Sequence, residues 1–364
     1  MTPGILLDPL RIGREAAILE GKLRERVIGQ DEAVREIVGV YQTFLAGLTT
    51  PGRPIGSFLF LGPTGSGKTR TVEAVAEALA GDVRAVIKVD CAEYQHGHEI
   101  AKLVGSPPGY LGHRETHPLL SQEALNQYQT ENVKLSFVLF DEIEKASDAL
   151  WNLLLGILDK ASLTLGDNRR VDFSRALIFL TSNLGSREIE TLVRPKLGFS
   201  PVRAALDGNG TEKISNAGVD AARRNFSPEF INRLDKIVVF RPLGQQELRG
   251  ILEIELQSIR ERIANAAGTR SINFEVSEDG QDFLLQQGTD ERYGARHLKR
   301  TVERLLVQPL ANLMATGQIQ PGDWVRVELD RDAVIDRLLF FKKMRDPAGK
   351  FDEFEIIAPQ AAAA

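Results

Sequence analysis

Residues 56–69 read GSFLFLGPTGSGKT, and this stretch decides the fold. Its second half fits the pattern G-x-x-x-x-G-K-[ST] of a phosphate-binding loop, formed here by Gly62, Pro63, Thr64, Gly65, Ser66, Gly67, Lys68 and Thr69. The apolar residues directly before it predict a buried strand. Apolar residues at helical spacing follow it as far as Gly81 and predict an amphipathic helix. Because strand, glycine-rich turn and helix come in the order that the motif requires, the sequence predicts a nucleotide phosphate site in an α/β domain.

The residue types of this loop suit phosphate chemistry. Glycines let backbone N–H groups approach the phosphates without a Cβ in the way, and the N-terminus of the following helix adds its positive dipole end. We expect Lys68 to reach the β and γ phosphates of ATP, and the hydroxyl of Thr69 to bind Mg²⁺. The alternative is a glycine-rich turn that binds no ligand.

Two adjacent carboxylates follow a second apolar run. Residues 137–140 are FVLF, and Asp141 and Glu142 come next. A phosphate-binding loop needs an acid at the end of a neighbouring strand, so we predict that Asp141 holds the metal ion. We predict that Glu142 is the base that polarises the attacking water, which implies hydrolysis rather than binding alone. The alternative for Glu142 is that it caps the helix that follows.

The rest of the chain divides into domains by its pattern. Apolar runs at 58–61, 85–89, 137–140, 176–181 and 237–240 alternate with helical segments, which predicts a core sheet of five parallel strands. Beyond Pro242, helical periodicity at 245–266 and 295–316 and strand-like runs at 272–276 and 324–329 predict a smaller C-terminal α/β lid domain. We expect a helical lead-in at 1–25, a large domain at 26–241, the small domain at 242–345 and a tail at 346–364. Residues 194–218 are rich in Pro, Gly, Asn and Ser and predict a loop.

Composition excludes several classes of protein. The 364 residues include 45 Lys and Arg against 50 Asp and Glu, a net charge of −5, which argues against a nucleic acid as the main partner. No window is apolar enough for a membrane helix, and no basic stretch with a long apolar core stands at the start. The single cysteine, Cys91, cannot form an internal disulfide. A cytoplasmic location is the expectation.

Five further segments carry a family resemblance. They are VIGQ at 27–30, PIGSFLFL at 54–61, TSNLGS at 181–186, FSPEFINRLD at 226–235 and YGAR at 293–296. With the phosphate-binding loop they resemble the AAA+ superfamily of P-loop NTPases, and within it the C-terminal ATPase module of the Clp-type unfoldases, the group that includes ClpB, ClpA and ClpC. The resemblance extends from about residue 20 to 329.

The resemblance implies further site residues. Val27 and Ile28 would lie on the adenine side, and Asn183 would orient the attacking water. Arg233 would be an arginine finger, and Arg296 would be the second sensor, in the small domain. An arginine supplied across a subunit boundary requires a homo-oligomer, by resemblance a ring of six. For either arginine alone, a surface ion pair is the alternative.

A segment resembling the Clp pore loop lies at 103–112. Within it Tyr110 stands between glycines in the run Gly109, Tyr110, Leu111 and Gly112. An aromatic ring on such a loop can push on an extended chain through apolar contact without recognising a sequence. The alternative is an ordinary, half-buried loop tyrosine. The following HRETH at 113–117 departs from the acidic pair and Gly-Gly common in the family.

A hydrophobic tripeptide suggests a peptidase as a second partner. Leu197, Gly198 and Phe199 stand where ClpA and ClpC carry the tripeptide that docks a Clp-type peptidase. Two apolar side chains flanking a glycine could fill a hydrophobic pocket of such a partner. The alternative is that the tripeptide packs on its own domain.

These observations predict an ATP-dependent protein unfoldase or chaperone that hydrolyses ATP in a ring and threads protein substrates through a central pore. A nucleotide-gated regulatory or assembly ATPase without translocation is the main alternative, and delivery to a Clp-type peptidase is a further one. A nucleic-acid motor is disfavoured by the net charge. The N-terminal domain and first ATPase module of ClpB, ClpA and ClpC have no counterpart in these residues, so the chain is either a single-ring relative or a fragment.

Overall fold

The computed structural model describes residues 7–106, 118–131, 133–193, 208–267, 272–290, 294–331 and 336–343. The chain forms two compact units, Met1–Pro242 and Leu243–Ala364. The predicted pore-loop residues Gly109, Tyr110, Leu111 and Gly112 and the tripeptide at 197–199 lie outside the described residues.

The helices of the first unit are α1 (Arg14–Arg26), α2 (Asp31–Leu45), α3 (Lys68–Ala80), α4 (Ala101–Val104), α5 (Gln122–Asn126), α6 (Asp148–Lys160), α7 (Ser186–Val193), α8 (Gly208–Asn225) and α9 (Pro228–Ile231). Those of the second unit are α10 (Gln245–Ala267), α11 (Glu278–Gly288), α12 (Ala295–Val302) and α13 (Gln308–Ala315). The strands are β1 (Gly56–Leu61), β2 (Val86–Asp90), β3 (Ser136–Asp141), β4 (Ser162–Thr164), β5 (Arg170–Asp172), β6 (Ala176–Ser182), β7 (Lys236–Val239), β8 (Asn273–Val276), β9 (Trp324–Asp330) and β10 (Arg337–Lys343).

A parallel sheet of five strands, in the order β2-β3-β6-β1-β7, forms the centre of the first unit. Its strands fall on the five predicted apolar runs, which confirms the predicted sheet. The runs are apolar throughout because both faces of the sheet are covered. Alternate side chains of β1 lie on opposite faces of the sheet: Leu59 and Leu61 belong to one buried cluster, and Phe58 and Phe60 belong to the other. The first unit therefore has three layers, with α1, α2 and α3 on the side of Phe58 and Phe60 and α6 on the other.

Helix α8 begins at Gly208 and so occupies the C-terminal part of the stretch 194–218, in which the sequence predicts a loop, whereas residues 194–207 lie outside the described residues. One glycine of this stretch, Gly218, has a packing role. A Cβ on Gly218 would lie 2.8 Å from Cγ2 of Val239 in β7, so the glycine lets this helix approach the strand closely.

The second unit has a sheet of three strands in the order β10-β9-β8. β8 and β9, which the sequence predicts as strands, are parallel, whereas β10 is antiparallel to β9 and the sequence patterns did not predict it. α12 and α13 are joined by a π-helical turn, Glu303–Val307. Four buried residues recur here at intervals of four: Leu298, Val302, Leu306 and Leu310. An interval of four exceeds the 3.6-residue α-helical turn, and the wider π turn keeps these side chains on one face.

Within the described ranges, no helix combines the length and apolar character needed to cross a membrane.

Candidate phosphate-binding and hydrolysis site

Strand order gathers the predicted site at one edge of the sheet. β6 lies between β1 and β3, and all three strands run in the same direction. The phosphate-binding loop follows β1, the acid pair ends β3, and Asn183 directly follows β6. Ligands of parallel α/β sheets bind at the carboxyl ends of the strands. Three segments far apart in the chain therefore meet where a nucleotide would bind.

The loop itself has the backbone shape that its glycines allow. Gly62, Gly65 and Gly67 have φ angles of 136°, 79° and 100°, a region that other residues avoid. A Cβ on Gly62 would lie 2.4 Å from the carbonyl oxygen of Phe240, whereas a Cβ on Gly67 would meet no atom within 4 Å. Ser66 is buried and its hydroxyl donates to the carbonyl oxygen of Pro63 at 2.8 Å. The loop is thus packed on one side against Phe240, which directly follows β7, and open on another, as a phosphate cradle needs to be.

Lys68 is the buried cation of the site, with 8% of its surface exposed. Its Nζ donates to the carbonyl oxygens of Gly62 and Pro63 at 2.7 and 2.9 Å and to Oδ1 of Asn183 at 3.0 Å. These bonds hold the ammonium group inside the curve of the loop. A buried charge surrounded by neutral acceptors is favourable for an anion placed beside it.

Asp141 and Thr69 face each other across the site. The hydroxyl of Thr69 lies 3.5 Å from Oδ2 of Asp141, and the hydroxyl of Thr181 donates to Oδ1 of the same carboxylate. Thr181, at the end of β6, had no role in the sequence-based prediction. The sequence shows a hydroxyl at the end of an otherwise apolar strand. This hydroxyl indicates a role at the site only when β6 is known to lie beside β3.

Glu142 has a left-handed backbone conformation. Its φ of 56° is positive, which is uncommon for a residue with a side chain and is concentrated at functional positions. Its N–H donates to the hydroxyl of Thr181 at 3.1 Å, and its Oε1 lies 3.5 Å from Nδ2 of Asn183. Lys145 pairs with Oε2, and this hydrogen bond raises the pKa of Lys145, so the lysine stays charged.

Asn183 connects the lysine and the glutamate. Its Oδ1 accepts from Lys68 and, at 3.4 Å, from the hydroxyl of Thr64, while its Nδ2 points to Glu142. Its own N–H donates to Oε1 of Glu144 at 3.1 Å. The amide group is therefore oriented with its oxygen toward the cation and its nitrogen toward the acid. Glu144 was missed by the sequence reasoning, which considered only the first two acids of this run.

The segment at 27–30 is attached to the loop through Gln30. This side chain is 5% exposed, and its Nε2 donates to the carbonyl oxygens of Ser66 and Arg241, both at 3.0 Å. Val27 is buried in the cluster formed with α1, α2 and α3, and Ile28 is partly exposed. The structure thus places 27–30 next to the phosphate-binding loop through a residue other than the two predicted to line the site.

Arg233 lies at the opposite edge of the same sheet. Its carbonyl oxygen accepts from Nη2 of Arg53 at 3.2 Å and from the hydroxyl of Ser57 at 3.4 Å, at the start of β1. The phosphate-binding loop begins at the other end of β1, about 17 Å away at 3.3 Å per residue. The structure therefore does not bring Arg233 to the site of its own chain, because an arginine side chain is much shorter than that distance.

Arg296 is an exposed residue in the first turn of α12, in the second unit. Residue 293 of the same predicted motif lies outside the described residues.

In the part of the chain that the structure describes, no group of three or more His, Cys, Asp or Glu side chains could hold a metal ion. Mg²⁺ in nucleotide sites needs only one or two protein side chains besides phosphates and water. Asp141 and Thr69 are such a pair of oxygen donors.

Comparison with known families gives two matches. The family described as AAA domain (Cdc48 subfamily) matches residues 53–237. The family described as the C-terminal, D2-small domain of ClpB protein matches residues 243–327.

Individual relatives agree with these matches. The Chaperone protein ClpB of Meiothermus ruber is 40% identical over 304 residues, which are 84% of this chain and 33% of that protein. The Chaperone protein ClpB of Pseudomonas putida is 39% identical over 321 residues, 87% of this chain and 34% of that protein. This chain therefore spans about a third of the length of the curated relatives that it matches.

Among solved structures, the closed-state reconstruction of Hsp104 with ATPγS and FITC-casein is similar, with a TM-score of 0.73 and 30% identity. The similarity covers 90% of this chain and 52% of that one. The predicted fold class is confirmed.

Proposed function

Because the chain belongs to the AAA domain family and carries a second unit of the ClpB D2-small type, we propose that it hydrolyses ATP to unfold or remodel other proteins. The observation that carries the proposal is the convergence of Lys68, the acid pair and Asn183 at the carboxyl ends of β1, β3 and β6. A nucleotide-binding module has no need of Glu142, so the arrangement favours hydrolysis.

Different residues of the chain have different roles in phosphoryl transfer. ATP and Mg²⁺, when bound, contribute the γ-phosphoryl group and neutralise its charge. Lys68 and the loop amides bind the β and γ phosphates, and Thr69 and Asp141 are the metal donors. Asn183 orients the attacking water toward Glu142, which accepts its proton.

The position of Arg233 favours an oligomer. Since Arg233 lies at the far edge of the sheet from its own site, we propose that it acts on nucleotide bound by an adjacent subunit in a homo-oligomeric ring, as an arginine finger. Such a residue contributes roughly 10³ to 10⁵ in rate in other NTPases. Six subunits, and Arg296 as a second sensor, remain proposals from the family resemblance.

The names of the relatives favour protein substrates. ClpB is a chaperone by name, and Hsp104 was solved with casein. We therefore propose unfolded or aggregated proteins as substrates and Tyr110 as the residue that contacts them in the pore. The names do not favour the alternative of an assembly ATPase. Binding of a Clp-type peptidase through Leu197, Gly198 and Phe199 stays a prediction.

A mixing experiment tests whether the site is shared between subunits. Arg233→Ala and Glu142→Gln proteins are each expected to be inactive in ATP hydrolysis. Mixed in equal amounts, they should recover about a quarter of wild-type turnover, because random assembly places an intact Arg233 next to an intact Glu142 in that share of sites. Phosphate release measured across mixing ratios gives the result.

The matched control is a mixture of Lys68→Ala with Glu142→Gln. Both residues belong to the site of one chain, so this mixture should stay inactive. Recovery in the control, or none in the first mixture, would contradict the shared site.

A second experiment tests whether the protein unfolds a substrate protein and whether Tyr110 is needed for it. Wild-type protein with ATP should abolish the fluorescence of a tagged, folded fluorescent protein, whereas Tyr110→Ala should not, although it still hydrolyses ATP. If Tyr110→Ala unfolds the substrate at the wild-type rate, the pore-loop role is wrong.

A further inference from the structure

The guanidinium group of Arg233 is bound within its own chain. Nε forms an ion pair with Oδ1 of Asp159 at 2.5 Å. Nη1 donates to the carbonyl oxygen of Glu229 at 3.0 Å, and Nη2 lies 2.9 Å from Oε1 of the same residue. The inner nitrogen and the two terminal nitrogens therefore have different partners. This difference matters because the terminal nitrogens are the ones that a phosphate would need.

Asp159 has a position that helix stability does not explain. It lies in the last turn of α6, where the helix carries a partial negative charge, so a carboxylate there is unfavourable for the helix. Its carboxylate nevertheless makes the shortest ion pair of Arg233. It is also the largest cause that raises the pKa of Arg233. The placement is explained if the role of Asp159 is to hold this arginine.

Aromatic packing joins α6, which carries Asp159, to α9, which directly precedes the segment of Arg233. Trp151 of α6 contacts the ring of Phe230 edge-on at 4.7 Å and that of Phe226 at 5.3 Å. Ser227 caps α9 by accepting from the N–H of Phe230 at 3.2 Å. Because α6 and α9 are joined in this way, Asp159 has a defined position relative to Arg233.

Glu229 is the weaker of the two partners. Its side chain is 63% exposed, against 35% for Asp159 and 21% for Arg233. Exposed ion pairs are screened by water and contribute little. Glu229 also borders a cavity of about 710 Å³ that Trp151 and Phe230 line, so its carboxylate has room to move away.

We propose that Asp159 is a positioning residue for Arg233, and that the carboxylate of Glu229 occupies the terminal nitrogen Nη2 until a phosphate group of the adjacent subunit's nucleotide replaces it. The inference rests on the proposed role of Arg233 as an arginine finger. Asp159 keeps the inner nitrogen and so aims the side chain, whereas the carboxylate of Glu229 competes with the phosphate for Nη2.

The two carboxylates therefore have opposite effects on ATP hydrolysis. Asp159→Asn should lower kcat about tenfold with little change in KM for ATP, because the finger is misplaced and nucleotide binding is not. Asp159→Glu, which keeps the charge, should recover part of this loss. Glu229→Gln should raise basal turnover about two- to fivefold, since it removes an exposed competitor.

The experiment measures kcat and KM of the wild type, these three variants and Arg233→Ala. Glu188→Gln is the control for the loss of one exposed carboxylate, because Glu188 pairs with Arg224 and touches neither Arg233 nor the site. Its kcat should equal that of the wild type. Trp151 fluorescence in a Trp324→Phe background, which leaves one tryptophan, reports whether the α6–α9 packing is intact.

The outcomes separate the two proposals. If Arg233→Ala loses activity but both Asp159→Asn and Glu229→Gln stay within about twofold of the wild type, the inference is wrong and the arginine finger stands. A fall in kcat for both variants also overturns it. If Arg233→Ala retains wild-type kcat, the arginine finger fails and the inference fails with it.

Discussion

The two edges of the central sheet are built differently. At the carboxyl ends of β1, β3 and β6, side chains from three segments bind one another, with Asn183 between Lys68 and Glu142. At the opposite edge, the contacts fix the backbone instead: the carboxylate of Asp235 accepts from the N–H and hydroxyl of Ser57 at 2.8 and 2.7 Å. There the side chain of Arg233 pairs with the carboxylates of Asp159 and Glu229 of the same chain.

This difference assigns nucleotide binding to one edge of the sheet and a proposed contribution to ATP turnover to the other. The first edge contains the residues proposed to bind the phosphates and the metal ion and to activate water. The second edge presents a cation that its own nucleotide cannot reach. If Arg233 acts on an adjacent subunit, as we propose, turnover depends on how chains assemble, and changes at the two edges should have separable effects.

The largest effect is expected for Glu142→Gln at the first edge. Loss of the base should lower ATP hydrolysis by about 10² to 10⁴ while ATP binding persists, because the phosphate ligands are intact. Phosphate release and the binding of a fluorescent ATP analogue measure the two quantities. Glu144→Gln is the matched control, since it keeps an acceptor for the N–H of Asn183, and should lose about tenfold or less. An equal loss in both variants would remove Glu142 from its role.

Gly62→Ala should be the most destabilising change in the phosphate-binding loop. It places a Cβ at a φ of 136° and 2.4 Å from the carbonyl oxygen of Phe240, so we expect a loss of about 3 kcal/mol in the free energy of unfolding. Gly81→Ala, at a φ of 77° with no atom within 4 Å of the new Cβ, isolates the backbone strain and should cost about 1 kcal/mol. Urea unfolding compares them, and equal losses would show that contact with Phe240 is unimportant.

Asp235→Ala tests the second edge. Removing an ionised acceptor from two donors of Ser57 should cost about 2 kcal/mol of unfolding free energy. Turnover should fall because Arg233 lies two residues away, but affinity for nucleotide should not change. A tenfold loss of nucleotide affinity, by equilibrium binding, would show that the two edges are coupled within one chain.

The smallest effect concerns Cys91, buried beneath the first edge. Burial raises the pKa of its thiol, so the folded protein keeps the proton at alkaline pH and the unfolded chain, with a pKa near 8.5, releases it. The unfolded state then binds fewer protons, and stability falls as pH rises through the unfolded pKa. By pH 9.3 the loss should be about 1 kcal/mol.

Cys91→Ala should lack this component of the pH dependence. Urea unfolding of both proteins at pH 7.5 and 9.3 measures it. Identical pH dependence in the two proteins would contradict the burial of the thiol.

The sequence patterns predicted local features well. The phosphate-binding loop, the acid pair and the five core strands were predictable because each depends on neighbouring residues: glycines where φ is positive, and apolar runs where both faces are covered. The stretch 194–218, in which the sequence predicts a loop, overlaps α8 from Gly208 onward, and Gly218 is required there by contact with Val239 rather than by a turn. β10 was missed because its sequence pattern alone is ambiguous, and its pairing with β9 is a tertiary relation.

By itself, then, the sequence determined which chemical groups this protein has for phosphate binding and hydrolysis, since motif spacing is a property of adjacent residues. Only the tertiary structure decided how those groups are divided in space. Strand order placed Thr181 and Asn183 between Lys68 and the acid pair. The length of β1 separated Arg233 from them, and packing of α6 on α9 placed Asp159 beside it. These relations join residues distant in the chain, and the free energy that selects them comes from burying both faces of one sheet.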